Sequence, residues 1–161
     1  MPLTGKESSA ISIFPTKILL ATDGSEDAKL ARATAADMAN STGSELHVVT
    51  VAPGYPSYDV NIPQVVEQLR TQAEKILDQQ VEEIERAGGK VAEKHLRIAE
   101  RHRAQQIVRL AEEIWAGLIV MGSRGLGGVR RALMGSVSDS VVRDAHCPVL
   151  VVRHVKERAA A

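Results

Sequence analysis

Apolar residues follow two alternating rhythms along this chain. The stretches KILLAT (residues 17–22), LHVVTV (46–51), GLIVM (117–121) and VLVV (149–152) are near-continuous apolar runs bounded by turn residues. Such runs predict strands buried on both faces. Between them, apolar positions recur every three or four residues: Ala28, Ala31, Ala35, Met38 and Ala39, then Val66, Leu69, Ala73, Ile76, Leu77 and Ile84, then Ile107, Leu110, Ala111 and Ile114. That spacing places each set on one face of a helix. Val137, Val141 and Val142 are expected on one face of a shorter last helix. Segment 90–98, KVAEKHLRI, alternates poorly and carries charge, which predicts a half-exposed third strand.

The punctuation agrees with the periodicity. Ser25 is placed to cap the first helix and Gly43 to close it, while Gly88 and Gly89 stop the second. Residues 52–63 form a proline-broken loop, and Cys147 and Pro148 end the last helix before the fifth strand. Strand and helix therefore alternate from start to finish. Crossovers of this length demand parallel strands with helices on both faces, hence a doubly wound α/β domain. Residues 1–15 read as a loose arm, 16–155 as a single domain and 156–161 as a tail.

Composition narrows the function classes. Twenty Lys and Arg balance twenty Asp and Glu, so no net field favours nucleic acid or an acidic membrane. Aromatic residues make up 2% of the chain, which argues against base-stacking platforms. No apolar run approaches the roughly 20 residues that span a bilayer, and no basic start with a long apolar core marks a signal peptide. With a single cysteine, Cys147, no internal disulfide is possible, and a cytoplasmic location is expected.

The informative segment is MGSRGLGGVRRALMGSVSDS, which follows the fourth strand. Turns at the carboxyl edge of a doubly wound sheet are where ligands bind. Gly122, Gly125 and Gly135 suit positive φ or close backbone approach, and the last helix begins just after them. A helix N-terminus offers free N–H groups to an anion. Ser136 suits an N-cap, with Asp139 three residues on as a partial capping box. The plain alternative is a set of turn glycines and a capped helix. The Walker A pattern fails because Ser136 follows Gly135 where lysine is required, and the dinucleotide pattern fails at Arg130.

The spacing G-x2-G-x9-G-S does match another signature. It resembles that of the universal stress protein family, in its ATP-binding branch. LIVMGSRGLGG, LMGSVSDSVV and HCPVLVV are similar to the family's closing half, and KILLATDGSEDA and LHVVTV to its opening strands. The resemblance implies a five-stranded parallel sheet in the order 3-2-1-4-5 and a stress-response regulator that binds ATP, with Mg2+ or Mn2+. Gly122, Gly125, Gly135 and Ser136 would hold the phosphates, with Val137 and Ser138 close by. Asp23 would face the ribose and adenine side, and the backbone of Val51 the adenine. Ala21, Thr22, Met121, Ser123 and Arg124 complete the nucleotide-binding set. The family often carries a small G-D-P turn after strand three, where this chain has AERHRAQQ. That strand is expected at a distant edge, so Arg101, His102 and Arg103 read as a solvated cap.

Several residues carry rival readings. Asp23 at a strand end suits a turn or a ligand hydroxyl better than general base catalysis. For Arg124, Arg130 and Arg131, phosphate contact and solvation are equally open. Cys147 beside a proline suits packing. The histidines His47, His95, His102, His146 and His154 show no paired metal-ligand spacing, and no metal site is expected. With no lysine or general base placed by the motif, binding is favoured over turnover. The alternative is a slow ATPase or nucleotidyl-transferring enzyme using the same cradle. The last strand is a bare apolar edge, and members of the family pair through it. A homodimer is therefore expected along residues 149–153, with Val149 at one end of the seam and Arg153 at the other.

Overall fold

Ile18, Leu19 and Leu20 are wholly buried, since β1 (Lys17–Ala21) is the middle strand of the sheet and both of its faces are covered. The computed structural model describes residues 12–54, 62–125 and 134–154. After β1 come α1 (Glu26–Thr42), β2 (Glu45–Pro53), α2 (Ile62–Arg86), β3 (Glu93–Ala99), α3 (Arg103–Glu113), β4 (Leu118–Gly122), α4 (Ser136–Asp144) and β5 (Val149–Val152). The five strands form one parallel sheet in the order β3-β2-β1-β4-β5, as expected.

Alternation along each strand divides the core into two layers. Ile18, Leu20, Leu46, Val48 and Val120 face Ala31, Ala35 and Ala39 of α1 and Leu77 and Ile84 of α2. Leu19, Ala21, Val49, Ile119 and Met121 face Ile107, Leu110 and Ala111 of α3 and Val141 of α4. Each buried Leu, Ile or Val contributes about 1.5–3 kcal/mol over its exposed state. Ser25 caps α1 by accepting the Ala28 N–H at 3.3 Å, and Gly43 ends that helix at φ 69°. Cys147 is half-buried among the second layer, and burial pushes its thiol up, which agrees with packing.

Three local expectations need correction. β2 runs to Pro53, into the segment read as loop, because β3 pairs with it as far as Pro53 opposite Ala99. β3 starts at Glu93 rather than at residue 90. The preceding residues turn away from α2, with Gly88 at φ 89° and the Gly89 N–H donating to Ile84 O. Val142 lies off the buried face of α4 at 47% exposure, and the buried positions are Ser138 and Val141. Three residues along a helix return to the same face, whereas one residue turns away by about 100°. The arm before residue 12, loop 55–61, residues 126–133 with Arg130 and Arg131, and the tail after residue 154 lie outside the described residues. No helix among the described residues is long and apolar enough to cross a membrane.

Candidate functional site

β1 and β4 are neighbours in the sheet, but the chain leaves them on opposite faces, into α1 and into α4. The two departing turns open a crevice beyond the carboxyl ends of the strands. A cavity of about 390 Å³ occupies it, within the range of small-molecule sites.

The turn after β1 forms one wall. Asp23 accepts the Ser25 N–H at 3.0 Å, and Gly24 takes φ 76°, so the chain reverses directly into the capped start of α1. Thr22 borders the cavity, but its hydroxyl donates to Gln80 Oε1 at 3.2 Å and its carbonyl accepts from Thr50. It therefore offers the crevice little beyond its backbone.

The opposite wall is built from β4 and α4. Gly122, Arg124 and Gly125 border the cavity with Gly135, Ser136, Val137 and Ser138. The Gly135 N–H donates to Ser123 O at 2.6 Å, and Ser138 Oγ donates to the same carbonyl at 2.7 Å. These two bonds hold the start of α4 against the end of β4. The capping expectation is corrected here: Gly135 is the N-cap, Ser136 is the first helical residue, and no side chain caps the helix. Asp139 is instead paired with Arg143. The first turn of α4 thus borders the cavity with no competing side-chain cap among the described residues, which leaves its N–H groups available there.

The glycines work through space rather than through positive φ. Gly135 has φ −77°, and among the described glycines only Gly24, Gly43 and Gly88 have positive φ. A β-carbon on Gly122 would stand 2.7 Å from the backbone of Asp27, so this glycine lets α1 approach β4. One on Gly125 would meet the Asp23 carboxylate at 2.5 Å. One on Gly135 would make only ordinary contacts of 3.4 Å or more. Among the described residues, nothing demands glycine at 135.

Of the sequence-selected residues, Ala21, Thr22, Asp23, Val51 and Met121 join the two turns in lining the cavity, whereas Ser123 does not. Ser123 is fully buried, and its hydroxyl donates to Asp27 Oδ2 at 2.7 Å. Asp27 was missed by sequence reasoning. It also accepts the His154 N–H at 3.2 Å and Arg124 Nε at 3.4 Å, joining α1 to the ends of β4 and β5. Burial alone would raise the Asp27 carboxyl, but the hydrogen bonds from Ser123, His154 and Arg124 and the Arg124 charge outweigh it, and the group lies below its ordinary value. The available signal was its place at the head of the i, i+4 stripe of Ala31, Ala35 and Ala39, where an acid needs a buried partner.

Val49, Ile107 and Met134 add apolar lining, and Arg103 adds a cation at the start of α3. The reading of Arg103 as part of a distant solvated cap is corrected: α3 starts beside the cavity even though β3 is an edge strand. Arg101 and His102 line an adjoining cavity of about 350 Å³ with Arg103. His47 and His95, which show no paired spacing in the sequence, are neighbours in the fold. Parallel pairing of β2 with β3 brings their rings together, with His47 Nδ1 3.1 Å from His95 Nε2.

Comparison with known proteins agrees with this architecture. Residues 15–153 match the model of the universal stress protein family. The chain is similar to a universal stress protein of Staphylococcus haemolyticus, with 38% identity over 138 residues covering 84% of this chain and 83% of the relative. Among solved structures it is similar to a universal stress protein in complex with cAMP (TM-score 0.67, 26% identity, 90% and 100% of the two chains). It is also similar to the universal stress protein of Archaeoglobus fulgidus in complex with dAMP (TM-score 0.65, 26% identity, 88% and 99%). Strand order, the glycine spacing at the β4 turn and a match over nearly the whole chain point the same way, and the chain belongs to the universal stress protein family.

Proposed function

We propose that this chain binds ATP in the crevice between β1 and β4 and acts as a nucleotide-dependent regulator of the stress response. The observation that carries the reading is Gly135. Neither its φ nor its neighbours among the described residues require glycine, yet it sits where the start of α4 opens into the cavity. A missing side chain there is explained by a group that must approach the backbone closely, as phosphate does. The two relatives with bound cAMP and dAMP support an adenine nucleotide as ligand.

In this reading Gly125, Gly135 and Ser136 hold phosphate oxygens, with Val137 and Ser138 close by. Gly122 shapes the turn that presents them. Among the described residues, Arg124 and Arg103 are the cations that line the same cavity. Asp23 faces the ribose, and the adenine lies toward the backbone of Val51, with Val49 and Ile107 as apolar lining. Mg2+ or Mn2+ would enter with the triphosphate. The functional unit is a homodimer joined along residues 149–153, since β5 is an edge strand whose four residues are all half-buried apolar side chains.

Isothermal titration of ATP against wild type and Gly135→Val tests the cradle. The variant is expected to fold and to lose ATP binding, because its side chain fills the approach to the α4 N–H groups. Wild-type affinity in the variant would overturn the assignment. Steady phosphate release with Mg2+, well above that of the variant, would move the reading to a slow ATPase.

A further inference from the structure

On the same face of β2 as Val49 and Val51, starting two residues upstream of Val49 and thus about 7 Å from the nearest lining residue of that strand, lies a second cluster. His47 stands opposite Glu93 in the β2–β3 register, and Val49 stands opposite His95. Residues two apart on a strand share a face, so two imidazoles and a carboxylate converge from two neighbouring strands. Their ligand atoms all lie within 4.8 Å of one another. His47 Nδ1 and His95 Nε2 are 3.1 Å apart, and Glu93 Oε2 is 3.9 Å from each.

We propose that His47, His95 and Glu93 form a binding site for one divalent transition-metal ion of the zinc type. Two imidazoles on one tetrahedral zinc, each with a bond of about 2.0–2.1 Å, have their nitrogens about 3.3 Å apart. The two rings are joined here by a hydrogen bond of 3.1 Å, within about 0.3 Å of that value, so a metal would take the place of the shared proton with little movement of either ring. The third ligand is an exposed glutamate, free to swing through the remaining distance.

The surroundings of His47 support the assignment. Its other nitrogen, Nε2, lies 3.3 Å from the Glu45 carboxylate. A carboxylate accepts and does not donate, so Nε2 carries the hydrogen and Nδ1 turns its lone pair toward His95 and Glu93. A metal-binding histidine characteristically has its second nitrogen held by a carboxylate in this way. Both rings are nearly buried, at 5% and 12% side-chain exposure, while Glu45 and Glu93 are open to solvent at the mouth. Among the described residues, the ion-pair partners of those two glutamates are these imidazoles alone. Two nitrogens and one carboxylate suit zinc and its neighbours rather than magnesium or calcium, which prefer oxygen alone. Such a set leaves a position for water.

The test uses the full chain without a histidine tag, titrated with Zn2+ by calorimetry and followed by NMR of the histidine ring nitrogens. One equivalent is expected to bind, shifting His47 and His95 while leaving His102, His146 and His154 in place, with Mg2+ without effect. Glu93→Gln and His95→Asn should each weaken Zn2+ at least tenfold, and Glu45→Gln by about tenfold through loss of the oriented tautomer. The ring-nitrogen signals of wild type need no variant to fold. No uptake at about 0.1 mM Zn2+, shifts confined to the other histidines, or undiminished affinity in His95→Asn would each overturn the proposal. The nucleotide reading plays no part in this outcome.

Discussion

Asp27→Ala removes one acceptor from three donors that arrive from different parts of the chain: Ser123 Oγ at 2.7 Å, the His154 N–H at 3.2 Å and Arg124 Nε at 3.4 Å. Ser123 is fully buried, so its hydroxyl has no solvent to turn to. A hydrogen bond to a charged acceptor contributes about 1.5–3 kcal/mol, and only the Ser123 bond is short. The longer two add less, which puts the expected loss at about 3 kcal/mol, or about 6–12 °C in Tm for a chain of this size. Asp27→Asn keeps the shape but turns an amide N–H toward one of the donors, and about 2 kcal/mol is expected.

The same carboxyl makes the effect depend on pH. Its pKa is lower in the folded protein, because the bonds from Ser123, His154 and Arg124 outweigh the cost of burial. Its contribution is therefore complete above the unfolded value of about 3.9 and is lost as pH falls through the folded value. Wild type and Asp27→Asn should differ at neutral pH and converge below about pH 4, since the variant has nothing to titrate there. Urea unfolding at neutral pH and thermal unfolding down to about pH 3 measure both points. A difference under about 0.5 kcal/mol at neutral pH, or a gap that stays constant into acid, would refute the reasoning.

Asp23→Asn should weaken ATP by about 10- to 100-fold while affecting inorganic triphosphate little, because the proposed site would lose one charged hydrogen bond to the ribose; equal losses in parallel titrations would move Asp23 to the phosphate end. Val151→Lys places a charge in the proposed β5 seam and should give monomers or aggregates, and an unchanged dimer in sedimentation would exclude that seam. Ser138→Ala removes the 2.7 Å bond that fixes α4 to the Ser123 carbonyl and should cost about 1–2 kcal/mol of stability. ATP affinity should fall with it, and calorimetric titration with unchanged affinity would show that the α4 N-terminus is held by other means.

Much of this protein was legible before any fold was known. Runs such as ILLA and LIVM are apolar on every residue, so they had to lie between two layers, and the one-sided alanine stripe of α1 had to face a sheet. Ser25 and Gly43 mark the ends of α1 through their own backbone and side-chain chemistry, needing no distant partner. The spacing of Gly122, Gly125, Gly135 and Ser136 likewise pointed to the β4 turn as a place for a ligand.

Tertiary structure decided which residues answer one another. Asp27 meets Ser123 across 96 positions and His47 meets His95 across 48, and neither pair leaves a periodic trace, because periodicity reports the face a side chain takes and not what stands opposite. Arg103 reached the cavity because α3 returns across the sheet toward β4, a path fixed by strand order and invisible in the local AERHRAQQ sequence. The glycines were identified, but their separate reasons were not: Gly122 clears the backbone of α1, Gly125 clears Asp23, and Gly135 clears nothing among the described residues. A glycine in a sequence announces missing bulk, and only the packed neighbours show what uses the space.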